Sequence, residues 1–210
     1  MPSIVSMMSP QQISLLSTTA IIGLETTDIA ALSTSQVNAL TATQVNAMET
    51  TDAAVISSTQ LAAFNTAQTA SLTTDQIAAL QTQDLSSFGT AAVRALGTAQ
   101  VAALTSDQAA ALQTEDLARF SSAQVAALGS DQLNAMSTDQ FAQLSVAQVA
   151  GLETSDLANL VSDNLNALGT AQFAALTSAQ LAALSTDQVA ALETADVAAL
   201  GTAALRGLGA

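Results

Sequence analysis

Cysteine, histidine, lysine, tryptophan and tyrosine are all missing from the 210 residues, which include only two prolines and five phenylalanines. Without cysteine there can be no disulfide or thiolate metal site, and the redox compartment leaves no trace. Without histidine there is no nitrogen ligand for a transition metal and no base to activate the abundant serine and threonine hydroxyls. The phosphate loop, the G-x-G-x-x-G turn, the aromatic–basic interleaving of RNA binders and the calcium-binding G-G-x-G-x-D nonapeptide are absent too. These absences predict a protein that is not an enzyme, with no catalytic, cofactor-binding or metal-binding residues and no cofactor.

Positive charge is scarce as well. Arg94, Arg119 and Arg206 face seventeen acids, for a formal net charge of −14. Such an excess repels nucleic acid and anionic membranes, whose recognition depends on neutralising phosphates, and it favours solubility and cationic partners. Ser, Thr, Gln or Asp interrupts every eight residues, so no apolar run approaches the roughly 18 residues of a membrane span. No membrane insertion is expected. The opening Met1-Pro-Ser-Ile-Val-Ser-Met7 has no basic stretch of the kind that begins a cleavable secretory signal.

Half of the residues are nevertheless hydrophobic, far too many for a disordered acidic tract. They recur with a fixed period. Every eighth residue from Met8 to Leu208 is large and apolar, with no insertion or deletion in the series. The chain therefore reads as an apolar N-terminal lead (1–7), an array of twenty-five octapeptides forming one solenoid (8–207) and a short tail (208–210). Numbered from its large apolar residue, the repeat is L-[S/T/G/E]-[T/S]-x-[Q/D]-[V/L/I/F]-[A/N]-A, as in Leu96-Gly-Thr-Ala-Gln-Val-Ala-Ala103.

One continuous helix cannot use this period. At 100° per residue the leucine column would drift about 80° per repeat, a stripe that no partner helix could follow. A β-solenoid is the alternative, since repeats of six to nine residues build such folds. The segment Gln-Val-Ala-Ala-Leu, however, consists largely of helix formers and lacks strand alternation. The sequence thus predicts an all-α solenoid or superhelix of very short helices, each five or six residues long and followed by a tight turn. Isolated helices need about 12–15 residues to be even marginal in water, so these must be stabilised by stacking on neighbours.

Position 3 is Ser or Thr in twenty-two of the twenty-five repeats. Its exceptions Pro10, Ala42 and Val146 follow Ser9, Thr41 and Ser145, so every repeat keeps a helix-capping hydroxyl. In Ser9-Pro10-Gln11-Gln12 the cap falls on position 2, with Pro at the first helical residue and Gln12 closing a capping box. Met8 and Ile13 would then form a hydrophobic staple. Glycine at position 2 (Gly89, Gly97, Gly129, Gly169, Gly201) suggests the other register, with a left-handed residue ending one helix and Thr capping the next. The sequence leaves both registers open. Large residues at positions 1 and 6, the five phenylalanines among them, are expected to line the interior, with alanine at position 8 allowing close approach.

Aspartate replaces glutamine at position 5 in six repeats: Asp28, Asp52, Asp84, Asp116, Asp156 and Asp196. Their spacing, three to five repeats, suits a coil that completes a circuit in about four short helices. Two readings stand: an acidic stripe for cations or a basic partner, or acids placed favourably in the first helical turn. The regular Thr row likewise has the spacing of ice-binding surfaces, and capping explains it equally.

The repeats 96–103, 168–175 and 176–183 resemble octapeptide tracts in large bacterial secreted or surface proteins of the repeat-adhesin kind, where Leu-[Ser/Gly]-Thr-x-Gln-[Val/Ile]-Ala-Ala recurs. That resemblance implies an extracellular or cell-surface, extended, stalk-like role. The functional expectation is a structural spacer or self-assembling fibre of the bacterial cell surface. Self-association would run head to tail through ends that keep the apolar pattern (Ile4, Val5 and Ile13; Leu200, Leu205 and Leu208). The alternative is a binding module, using the acidic stripe or the Thr row for cations, ice, polysaccharide or a protein partner.

Overall fold

A computed structural model describes residues 4–201. Leu205, Arg206 and Leu208, and with them the 208–210 tail and the start of the lead, lie outside the described residues. Among the latter there are twenty-four α-helices, one 3-10 turn (Ile4–Met7) and no strand. The helices are four to six residues long, one per octapeptide. The all-α solenoid is what folds, and the β-solenoid is not. None of these helices is long and apolar enough to cross a membrane.

Most helices start at a residue whose side chain can cap them. Position 2 is the N-cap throughout, as at Ser9, Ser17, Ser33 and Thr41, whose hydroxyls accept the backbone N–H three residues on. Position 3 is therefore the first helical residue, and its Ser or Thr is not the cap. Glycine at position 2 is an N-cap as well. Gly89, Gly97, Gly129 and Gly169 all have negative φ in the extended region, and no described residue has a positive φ. The expected left-handed glycine is thus replaced by a different corner. Leu40 (φ −60°, ψ 135°) and Thr41 (φ −75°, ψ 157°) are both extended, so two consecutive extended residues turn the chain. The Leu40 N–H still donates to the Val37 carbonyl at 3.1 Å, tightening the last helical turn. Because any residue can be extended, the corner repeats without needing glycine.

The chain divides into two compact units, Met1–Ala111 and Leu112–Ala210. In the first, each helix packs on the third one along: Pro10–Ser14 on Thr34–Ala39, Thr18–Ile22 on Ala42–Ala47, and Ala42–Ala47 on Thr66–Ser71. In the second, Ser122–Val125 packs on Val146–Ala150, and Val146–Ala150 on Thr170–Phe173. Within each unit the polypeptide therefore coils with a circuit of three to four octapeptides.

Positions 1 and 6 fill the interior. Leu32, Leu40, Leu72 and Leu80 from one column and Ile21, Val45, Leu61 and Ile77 from the other are buried, and so are their counterparts Leu144, Leu152, Val149 and Leu165. All five phenylalanines, Phe64, Phe88, Phe120, Phe141 and Phe173, are buried in these columns. Thr69 stands in an aliphatic place; its hydroxyl is satisfied locally by the Asn65 carbonyl at 3.1 Å.

Burying a leucine contributes about 1.5–3 kcal/mol, and an unpaired carboxylate in its place costs considerably more. Leu128, fully buried in the second unit, is a direct probe of this interior. Leu128→Asp is expected to reduce helical circular dichroism and lower the melting temperature, and unchanged values would refute the buried column.

Candidate functional site: a buried glutamine ladder

Positions 1 and 6 are not the only buried positions. The third is position 5, and it is polar: Gln36, Gln44, Gln60, Gln68, Gln76, Gln100, Gln108, Gln140, Gln148, Gln172, Gln180 and Gln188 all lie inside. Burying a primary amide is costly unless each of its polar atoms is hydrogen-bonded. The helical frame supplies the partners. Position 5 is the third residue of the helix, so its side chain leans back over the N-cap and reaches the coil beneath.

Gln76 illustrates the arrangement. Its Oε1 accepts the Thr73 N–H at 2.8 Å, while its own backbone N–H donates to Thr73 Oγ1 at 3.1 Å. Its Nε2 donates to the carbonyls of Val45 at 3.0 Å and Met48 at 2.6 Å, 31 and 28 residues earlier. The Val45 carbonyl, at the end of Ala42–Ala47, already accepts the Met48 N–H at 3.3 Å, whereas the Met48 carbonyl just past that end has no other partner among the described residues. A single side chain thus closes the N-terminus of one helix and the C-terminus of another.

The same offsets recur. In the first unit Gln36 joins Val5 and Met8, Gln44 joins Ile13 and Leu16, and Gln60 joins Ile29 and Leu32, at 2.8–2.9 Å. In the second unit Gln148 joins Leu117 and Phe120, both at 2.8 Å, and Gln188 joins Leu157 and Leu160. Asn164 makes the shorter form of the rung, with Nδ2 3.2 Å from the Leu133 carbonyl and 3.1 Å from that of Met136. A second ladder runs the opposite way. Position-7 asparagines donate to carbonyls 25 residues ahead: Asn38 to Ala63, Asn46 to Ser71 and Asn134 to Asn159.

The sequence brought out the capping role at Gln12 and missed the reach of the position-5 glutamines to the coil beneath. A signal was present. Capping alone requires only an acceptor, which glutamate supplies as well as glutamine, yet position 5 never holds glutamate. Only an amide brings both an acceptor and a donor.

The six aspartates of position 5 interrupt the ladder and do not form a surface stripe. Asp52, Asp84, Asp116, Asp156 and Asp196 are buried, and Asp28 is half-buried. Asp52 Oδ2 accepts the Glu49 N–H at 3.2 Å and Asp156 Oδ1 the Ser130 hydroxyl at 2.8 Å. Burial raises the pKa of Asp52, Asp116 and Asp196 above the ordinary 3.8, and the neighbouring Glu49, Glu115 and Glu193 raise it further. At Asp52 the Glu49 N–H partly offsets the rise. Among the described residues, no three acidic side chains converge as metal ligands would. Arg94 and Arg119 are exposed.

Comparison with known proteins agrees with this periodicity. The family model described as the ALTTAQ repeat matches residues 21–54, 45–82, 77–114, 109–146, 149–188 and 189–210. No curated protein matches the chain significantly.

Two outcomes test the ladder. Gln76→Leu strands the Met48 carbonyl and the Thr73 N–H and leaves the Val45 carbonyl only the Met48 N–H, and each buried unpaired group costs about 1–3 kcal/mol. Amide exchange should quicken in both 74–79 and 42–47; quickening confined to 74–79 would show that the rung carries no load. The second outcome concerns pH. A carboxyl with a raised folded pKa binds its proton more tightly folded than unfolded, so its contribution grows as pH falls through the folded value and is complete below 3.8. The melting temperature should therefore rise from pH 7 towards about pH 4, and Asp52→Asn, Asp116→Asn and Asp196→Asn together should flatten that rise.

Proposed function

The chain belongs to the ALTTAQ repeat family, and we propose that within it the protein is structural: a bacterial cell-surface spacer or self-assembling fibre, non-catalytic and exported from the cell. The observation that carries this reading is where the polar chemistry goes. The buried amides of the ladder bond to backbone, and among the described residues no three acidic side chains gather into a separate site.

Self-association is the second element of the proposal, and its occupant is another copy of the chain. The first coil presents Ile4, Met7, Leu15 and Ile22 to solvent, at 76, 79, 83 and 49 % exposure. Beside them Gln12 keeps its capping bond to Ser9 through Oε1, while its amide nitrogen donates to nothing. Its match on another copy is a coil end whose position-6 and position-1 carbonyls no glutamine has taken. A contact of this heterologous, non-closing kind builds filaments. The exposed Ser and Thr of position 3, such as Thr34, Thr50, Thr74 and Thr98, favour a lateral binding surface as the second reading.

Negative-stain electron microscopy across a concentration series separates the two. Filaments of uniform width that lengthen with concentration are expected, and Leu15→Glu with Ile22→Glu should abolish them. Discrete particles at every concentration would overturn self-assembly and turn attention to the Thr-bearing sides.

A further inference from the structure

Asp84 and Asp196 occupy the ladder position but complete no rung. With 8 and 4 % of their surface exposed they are largely buried; no described protein group donates to their carboxylates, whose oxygens stay in reach of water. Asp52 and Asp156 have each found a donor, in Glu49 N–H and the Ser130 hydroxyl.

The opposite side of each broken rung is incomplete as well. Counting back 31 and 28 residues, as the glutamines do, leads to the carbonyls of Ala53 and Ile56 for Asp84, and of Leu165 and Leu168 for Asp196. Ala53 and Leu165 accept only the corner amides of Ile56 and Leu168, at 3.3 and 3.2 Å. The Ile56 and Leu168 carbonyls accept no hydrogen bond. Asn164 shows that a side chain of this length reaches that pair of carbonyls, since its Nδ2 lies 3.2 and 3.1 Å from the equivalent two. An aspartate in the same frame brings oxygen where asparagine brings N–H, so on the Asn164 geometry its carboxylate would face the two carbonyls with no protein donor between them.

We propose that the Asp84 and Asp196 rungs are cation sites, each binding a calcium-type ion through the carboxylate and the two facing backbone carbonyls, with water completing the shell. The donor set is all oxygen, which selects hard cations over transition metals. Calcium tolerates the irregular geometry of mixed carboxylate and carbonyl ligands, whereas magnesium demands a regular octahedron and keeps its waters. The −14 net charge concentrates cations around the chain. Glu193, whose charge adds to that of Asp196, gives the second site the stronger field. A cation placed there does what the amide does elsewhere in the ladder, joining a helix start to the helix end beneath it. This inference does not depend on the spacer or fibre reading.

The test is thermal unfolding of the full chain with calcium chloride, against sodium chloride at matched ionic strength. The comparison variant is Asp84→Asn with Asp196→Asn, which creates the rung that Asn164 already makes and so should fold. At about 10 mM calcium, tenfold above the 10⁻³ M of weak extracellular sites, the unmodified chain should melt several degrees higher, and sodium should not reproduce the gain. The variant should melt higher than the unmodified chain without calcium and lose at least half of the calcium response. An equal response in both chains, an equal effect of sodium, or no response in the unmodified chain would each overturn the proposal.

Discussion

The fold depends on how orphaned backbone groups are satisfied. A helix of four to six residues leaves nearly all of its amides and carbonyls without an internal partner, so an array of such helices exposes or buries unpaired polar groups at every corner. Here one side chain type resolves both ends of the problem. The position-5 amide takes an N–H from its own helix start and gives two to a helix end in the coil beneath. Leucine and valine burial supplies the cohesion between coils. The amides make that burial permissible, because without them the same close packing would strand carbonyls in the interior.

This division of labour explains which features were legible in the sequence. The columns at positions 1 and 6 could be read directly, since a strict period of eight and their size mark them as interior. Ser9 with Gln12 gave the cap, because this is a local relation within a few residues. The rungs from Gln36 to Val5 or Gln148 to Leu117 were not legible in the same way. A polar residue in a first helical turn ordinarily faces water, and only the pitch of the coil reveals a carbonyl 28 or 31 residues away. Gly97 and Gly129 misled for a related reason. Glycine after a helix suggests a left-handed corner, but a corner made of two extended residues places no special demand on φ. The aspartates were legible in part: their place in the first helical turn could be read, whereas the burial that their register brings could not.

Membership of the ALTTAQ repeat family and the coiled arrangement of the helices belong together. Each octapeptide is too small to fold alone, and its ladder bonds lie in repeats three and four places earlier. Selection on such a chain acts on the register as much as on any residue. That constraint accounts for the absence of a single insertion or deletion from Met8 to Leu208, where loops of ordinary proteins would accept them readily. The asparagine ladder at position 7 strengthens the same neighbours from the other side, as Asn134 does with Asn159 and with the Val161 N–H at 2.8 Å.

The direction of the glutamine rungs gives the molecule a polarity in time. Donors always lie later in the chain than the carbonyls they reach: Gln36 after Val5, Gln76 after Val45, Gln188 after Leu157. A chain made or threaded from its N-terminus therefore presents each finished coil as a template before the residues that will clasp it arrive. Every new octapeptide can form its glutamine rungs on completion; only the position-7 asparagines await carbonyls 25 residues downstream. The array can grow one repeat at a time behind a ribosome, without ever holding a long unfolded segment.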